Sequence, residues 1–527
     1  MTIKFDDLLY QINDFGKFQK IRYILICLAG ILPPIATYIH SFLAALPEFT
    51  CNNVSIDKTN SNITNLIKSN CVYHVGNGSY TSCDSWSYDK KYFDSTLTEE
   101  WNMVCDRSFL RSKVQSIYFC GYLVGSLMLG NLADKFGRRP VMLFSFFLIL
   151  IGFIGTTFGP QQSYGFLISY IIYSISRFLM ACGTRGINET GYVLALELVS
   201  TKKRTYAGIG FENFFSLGQL ILVLVAYFVR DWRNLSMIFT FAVIPFLTYF
   251  FILPESPRWL ILNNKQDKAL EVLEKVAKVN KKTLNKSSWN EFLNQSHKTE
   301  KKENFLTLVK SFIKYPNMAV LFFTVLFNWL VNNFVFYGVS LKSIDLGVNP
   351  YLSFAISASV EILAYFSTIL LIEKFGRKIP YLTFLLCAGL SCLSHVFITQ
   401  VEIGLLMAMI GKFCVSASYA ILRLYSNEVF PTSIRTSCIG ICSMFSRIGV
   451  ILAPFIIQLG ENGWRPMPFL IFGICAVSGA CSTIFLPETL NRKLPETIEE
   501  AQSFKKEKTK LKHDISVEAK LINETVS

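Results

Sequence analysis

The chain has 527 residues, with 51 lysines and arginines against 37 aspartates and glutamates, a hydrophobic share of 51% and only 17% charge; its mean hydropathy is +0.38. Soluble domains carry about a quarter charged residues. Here stretches of about twenty residues carry almost none, the length that a hydrocarbon core of about 30 Å demands of a helix. A water-soluble domain is excluded, and so is a nucleic-acid binder, because the excess positive charge falls between apolar stretches.

In chain order, residues 1–20 read as a cytoplasmic N-terminus ending in the Lys17, Lys20, Arg22 cluster. The apolar run after Arg22 is long and lacks a small-residue cleavage site, so it reads as the first span. Spans are predicted near 21–45, 114–133, 140–160, 164–183, 206–229 and 235–253, then near 317–341, 350–372, 380–400, 403–425, 436–459 and 466–486. This is an all-α membrane protein of twelve transmembrane helices. Residues 21–254 form one half, including a loop at 46–113; residues 255–316 link it to a second half at 317–490; a tail follows at 491–527.

The 46–113 loop is acidic on balance and the 255–316 segment is rich in lysine, which puts the first outside and the second in the cytoplasm. An even span count then returns both termini to the cytoplasm. Cys51, Cys71, Cys83 and Cys105 lie in the outside loop beside the sequons at Asn53, Asn62 and Asn77. Four outside cysteines predict two disulfides, with three connectivities open. Sequon matches at Asn188, Asn234, Asn285 and Asn523 fall in or near spans or in cytoplasmic segments and read as chance. The stretch from Asp267 to Val279 reads as an amphipathic helix lying at the membrane surface and bracing the cytoplasmic side.

The two halves repeat. Asp134-Lys135-Phe136-Gly137-Arg138-Arg139 matches Glu373-Lys374-Phe375-Gly376-Arg377-Lys378; Glu197 and Arg204 match Glu428 and Arg435; Pro254-Glu255 matches Pro487-Glu488. The order is shared, the offset is nearly constant, and each motif sits at a cytoplasmic end. Parallel six-span repeats about an axis along the membrane normal are how major facilitator transporters are built. In the string from Gly130 to Pro140, Gly130 is expected to admit a close neighbouring helix. Asp134, Arg138 and Arg139 are expected to pair across the turn. With Glu197, Arg204, Glu255, Arg258, Glu428, Arg435 and Glu488 they form a ring of charge, expected as pairs that latch the halves at a cytoplasmic gate; the plain alternative is a set of surface ion pairs worth about 0–1 kcal/mol each.

Pro254-Glu255-Ser256-Pro257-Arg258-Trp259-Leu260, the cysteine-bearing outside loop and Asn427-Glu428-Val429-Phe430-Pro431-Thr432-Ser433-Ile434-Arg435 resemble the organic cation, organic anion and carnitine transporter family. The resemblance runs from Phe5 to about Glu500. It implies alternating-access transport of small organic ions across the plasma membrane, with no cofactor and with energy from a substrate, sodium or proton gradient. The loop departs from the family in carrying four cysteines where mammalian members commonly carry six.

Ionisable groups at bilayer depth usually mark the pathway, and the spans offer Arg185, Glu189, Glu212, Glu361, Arg423 and Arg447. Arg447 stands where cation-selecting members resembling this segment carry an aspartate and anion and carnitine carriers an arginine. A buried guanidinium grips a carboxylate and repels an ammonium; the alternative is internal pairing with Glu361 or Glu212. Glu361-Ile362-Leu363-Ala364-Tyr365 resembles the carnitine-type segment, whereas anion carriers would carry a lysine where Tyr365 stands. Arg447 and Glu361 together suit a zwitterion whose ammonium rests on the faces of Phe334, Phe336 or Tyr337. Two departures from the family pattern are Arg423, where relatives are uncharged, and Glu212, where cation carriers have glutamine; Arg423 adds a second anion anchor, and Glu212 is a candidate for the coupled proton or sodium.

An organic-anion or zwitterion carrier is the leading reading. An organic cation carrier using Glu361 and Glu212, and a non-transporting receptor or scaffold presenting its glycosylated loop, are the alternatives. No enzyme is read: the sequence lacks a phosphate-binding loop, a metal-spaced histidine set and a nucleophile elbow.

Overall fold

The computed structural model describes residues 5–51, 71–75, 79–83, 85–200, 203–296, 314–346, 349–431 and 434–490. Asn53, Asn62 and Asn77 lie outside the described residues, so the glycosylation expectation is not addressed. The first half contains α1 (Lys17–Leu43), α2 (Phe109–Phe136), α3 (Arg138–Phe158), α4 (Gly165–Glu197), α5 (Arg204–Phe228) and α6 (Trp232–Ile252). The second contains α7 (Pro316–Lys342), α8 (Pro350–Phe375), α9 (Lys378–His395), α10 (Val401–Val429), α11 (Arg435–Asn462) and α12 (Met467–Ser482). Eleven of these are long and apolar enough to cross a bilayer. The exception is α9, 18 residues bounded by Lys378 and His395, which packs between α10 and α12 as the twelfth. Large apolar side chains such as Phe147, Ile154, Leu363 and Leu370 stand exposed on outer faces, as residues facing lipid do.

Several helices overrun the apolar stretches from which they are predicted. α4 continues past residue 183 to Glu197 and carries Arg185 and Glu189 within it. An apolar window ends where charge begins, yet the helix persists because those charges face the protein interior. α1 breaks after Ala29 and resumes at Leu32, with Pro33 and Pro34 in the first turn of its second segment, where proline's missing N–H has no helical partner to lose. The halves meet along two seams, α2 against α11 and α5 against α8.

In the loop between α1 and α2, β1 (Phe49–Cys51) pairs with β4 (Trp86–Tyr88), and β2 (Val72–Val75) with β3 (Ser79–Ser82), all antiparallel. The disulfides join Cys51 to Cys83 and Cys71 to Cys105, one of the three open connectivities. The loop reaches both halves: Glu100 accepts from Arg233 (2.5 Å) and Trp232 (3.1 Å) at the start of α6, and Tyr351 of α8 donates to the Tyr92 carbonyl (2.8 Å).

Between the two halves of the chain, the expectation for Asp267–Val279 is corrected. The helix Gln266–Val279 turns Ala269, Leu273, Val276 and Ala277 into a protein core with Phe5, Leu8, Leu9, Phe18, Trp259 and Trp289. Its apolar face is therefore covered by the N-terminal helix Phe5–Gln11 and by Pro257–Leu262, not by lipid. Asn280 pins the arrangement, accepting from the Phe18 N–H (3.0 Å) and donating to Ile12 O (2.9 Å) and Gln19 Oε1 (2.8 Å).

Candidate functional site

Between the halves, α4, α5, α7, α8 and α10 line a narrow cavity of about 30 Å³. Its walls carry the rings of Phe211, Phe215, Phe336, Tyr337, Tyr365 and Tyr419 and the charges of Arg185, Glu212 and Arg423. The site is aromatic with polar punctuation, as small-molecule pockets commonly are.

Glu361 is engaged. Its carboxylate meets the Lys412 ammonium at 2.8 Å, both side chains fully buried. It also accepts from Ser216 Oγ (3.0 Å), Gln219 Nε2 (3.2 Å) and Tyr365 Oη (3.1 Å). Lys412 donates further to Ser340 Oγ (2.6 Å) and lies 3.7 Å above the Phe336 ring. Glu361 is thus neutralised from within its own half and bonded to α5 of the other. Lys412 is the main residue missing from the sequence reading; it stands alone in the apolar run of α10, and that isolation is the signal that identifies it.

Arg447 pairs with neither Glu361 nor Glu212. It is 1% exposed, and its Nε and Nη1 have no partner. Its Nη2 reaches only Ser443 Oγ, at 3.5 Å, a hydroxyl that Arg185 Nη2 of the opposite half approaches at the same distance. The two guanidiniums lie over one ring, Tyr122, at 5.5 and 5.8 Å. Arg185 forms an ion pair with Glu189, and Arg423 with Glu212. Arg185, Arg423, Arg447 and Lys412 therefore face Glu189, Glu212 and Glu361, leaving Arg447 uncompensated among the described residues. Arg447 is not itself on the cavity wall; it sits beside the wall residues Arg185, Tyr337 and Tyr419. A second buried cation absent from the sequence reading, Arg177, donates through both terminal nitrogens, to Ala36 O (2.7 Å) and Gln115 Oε1 (3.2 Å), while its Nε has no partner.

The predicted aromatic residues divide. Tyr337, Phe336 and Tyr365 line the cavity, although Phe336 stacks on Tyr419 (5.3 Å) and offers a face to Lys412. Phe334 does not line it; its ring packs edge-on against Phe472 of α12 at 5.0 Å. The expectation for Phe334 is corrected: it lies on the α12-facing side of α7.

The repeated motifs form two matching knots. Glu255 accepts from the backbone N–H groups of Arg138 (3.1 Å) and Arg139 (3.2 Å) at the start of α3. Glu488 accepts from those of Arg377 (2.9 Å) and Lys378 (3.0 Å) at the start of α9. A carboxylate satisfying open N–H groups at a helix start is favoured by hydrogen bonding and dipole alike. Burial nevertheless pushes Glu255 above the usual carboxylate range. For Glu488, burial acts upward too, but four backbone N–H donors outweigh it and hold the group below that range.

Gly137 and Gly376 make this capping possible. Both have positive φ, 111° and 86°, and a Cβ at either would run into the capping carboxylate. Gly130 behaves otherwise: a Cβ there meets nothing within 4 Å, so the expected close helix approach is corrected. The close approach on α2 belongs to Gly121 and Gly125, which pack on α4. Gly137→Ala is expected to lower stability by about 1–3 kcal/mol through backbone strain alone, read as a lower melting temperature in detergent. Gly130→Ala is expected to stay within about 0.5 kcal/mol of wild type.

The charged residues pair within each half rather than across. Arg138 meets Asp134 (3.1 Å) and Glu197 (3.6 Å), Arg377 meets Glu428 (2.9 Å), and Arg258 meets Asp6. Glu197 with Arg204 and Glu255 with Arg258 are thus not the direct pairs expected. Arg139 lies on the Phe250 ring at 4.9 Å, Arg435 donates to Phe430 O (3.0 Å), and Glu373 is exposed. Ties across the interface lie elsewhere. At the end of the bundle that carries the loop between α1 and α2, Arg111 bonds Glu461 (2.8 Å), and Gln458 bonds Ser112 (2.9 Å) and Ser108 (3.0 Å). Nearer the end that carries the repeated motifs, Arg423 of α10 bonds Glu212 of α5.

Residues 25–501 match the family model described as sugar (and other) transporter. An organic cation transporter protein of Drosophila melanogaster is 34% identical, covering 95% of each chain. Organic anion transporter 3 of Sus scrofa is 35% identical over 80% of this chain and 76% of its own. Among solved structures, the partially occluded inward-open xylose transporter XylE of E. coli superposes with a TM-score of 0.67 at 17% identity, covering 91% of this chain and 100% of that one.

Proposed function

The chain belongs to the organic cation, organic anion and carnitine transporter family (solute carrier 22 type) of the major facilitator superfamily, and from that premise we propose that it favours small organic anions. The family consists of transporters rather than enzymes, so the chain is a multi-pass carrier of organic ions. The relatives' names divide between cations and anions and do not decide the charge. The observation that carries the proposal is Arg447: a buried guanidinium with two unpartnered nitrogens, while Glu189, Glu212 and Glu361 are each engaged by another cation.

A bare ammonium held about 4 Å from that charge is disfavoured by about 4 kcal/mol at an effective dielectric near 20. A carboxylate gains a similar amount and completes the hydrogen bonding of the guanidinium. The body of the anion lies among the aromatic walls. A zwitterion such as carnitine is the second reading, supported by the ring faces of Tyr337, Tyr365 and Tyr419; Glu361, occupied by Lys412, is no longer its ammonium partner. The outer ties are the closed outer gate, and the two cytoplasmic knots keep each half rigid as it rocks. The carrier works in the plasma membrane with both termini in the cytoplasm, driven by a substrate, proton or sodium gradient.

The test is uptake of radiolabelled benzoate, carnitine and tetraethylammonium into cells expressing the protein. Benzoate is expected to enter best and tetraethylammonium worst. Tetraethylammonium uptake above that of both others would overturn the anion reading.

A further inference from the structure

The two residues that depart from the family pattern in the spans turn out to be partners. Arg423 of α10 and Glu212 of α5 form an ion pair across the interface between the halves, and both line the central cavity. The guanidinium is also held by rings, lying 4.5 Å from Tyr192 and 5.8 Å from Tyr419. Its position therefore does not depend on the carboxylate alone. Arg423 stands six residues from the cytoplasmic end of α10, and Arg447 twelve from that of α11. At a rise of about 1.5 Å per residue the two differ in depth by roughly 9 Å. One is the lower, occupied cation of the site; the other is the upper, vacant one.

We infer that Arg423 is a second anion-receiving group held in reserve by Glu212, so that the carrier selects anions with a second acidic group remote from the first. This rests on the anion reading of Arg447. Arg423 and Glu212 are only partly buried, 27% and 18% exposed, so the pair is open to exchange: in the empty site an internal carboxylate occupies the position that a substrate carboxylate takes over. The exchange replaces one carboxylate by another on the same cation. Glu212 belongs to the other half, so the exchange also releases a tie across the interface on the cytoplasmic side of the cavity. A monoanion on Arg447 leaves that tie closed.

Benzoate and terephthalate share one ring and differ by a carboxylate at the far end, so their relative uptake isolates the second group. Uptake of each is measured in cells, normalised to protein at the surface, for wild type, Glu212→Gln, the double variant Glu212→Gln/Arg423→Gln and Arg447→Gln. The double variant leaves no unpaired charge behind. Its terephthalate-to-benzoate ratio is expected to fall about tenfold, the worth of one charge-assisted contact. In Glu212→Gln, where the resident competitor is gone, the ratio is expected to rise. A ratio unmoved in either variant, with both anions lost in Arg447→Gln, overturns this inference alone. Uptake of neither anion by wild type, or undiminished uptake by Arg447→Gln, overturns the anion reading and this inference with it.

Discussion

Replacing Arg447 by glutamine is expected to lower benzoate uptake by one to two orders of magnitude while leaving the amount of protein at the cell surface unchanged. The guanidinium is 1% exposed, and what holds it within the protein is a 3.5 Å approach to Ser443 and the Tyr122 ring at 5.5 Å, with no carboxylate among its partners. Removing it strips no carboxylate of its partner, because every nearby carboxylate is held by another cation. What is lost is the contact with the ligand. Hydrogen bonds to a charged group contribute about 1.5–3 kcal/mol, and each 1.4 kcal/mol is about a factor of ten. Surface biotinylation beside radiolabel uptake separates the two effects. Loss of protein from the surface in proportion to uptake would make Arg447 a structural residue and sink the proposal.

The opposite behaviour is expected at Lys412. Lys412→Met should reduce stability by about 3–5 kcal/mol, the penalty for leaving a buried charge without its partner, and the protein should fail to reach the membrane surface or melt far lower in detergent. Glu361 would remain fully buried with only neutral donors, Ser216, Gln219 and Tyr365. The double variant Lys412→Met/Glu361→Gln should recover most of the loss, because replacing both members of a buried pair is often neutral. Fluorescence-detected size exclusion after a temperature series reads the difference directly. A double variant no more stable than Lys412→Met would show that the two residues act independently.

The architecture was legible in the sequence because it is written in two redundant codes. Apolar runs of bilayer length mark the spans, and the repeated Gly-Arg and Pro-Glu strings mark two parallel halves. The role of the repeated glutamates was not legible. Each accepts from backbone N–H groups more than a hundred residues away, and sequence separation hides such contacts; charge alone suggested pairing with the arginine three residues on. In the site, Arg447 was visible because it is a charge in an apolar run, and Lys412 is equally visible by that rule. What sequence does not disclose is which carboxylate belongs to which cation. Glu361 has Arg447 and Lys412 as rival partners in composition, and only packing assigns it to Lys412. Phe334 and Phe336 illustrate the same gap: two residues apart on one helix, they face α12 and the cavity because a helix turns about 200° between them.

The glutamate that grips the turn between the second and third helices of each half stands just beyond the sixth, so the end of each six-helix run is fastened back near its beginning. A bundle closed in this way resists shear among its members. In the rocking proposed above, a torque delivered at the cavity wall would be carried through the whole half to its far face, and the same fastening is duplicated in the other half. The lever arm of the carrier is thus the entire half, and its most sensitive fastening is a glycine with no room for a methyl group.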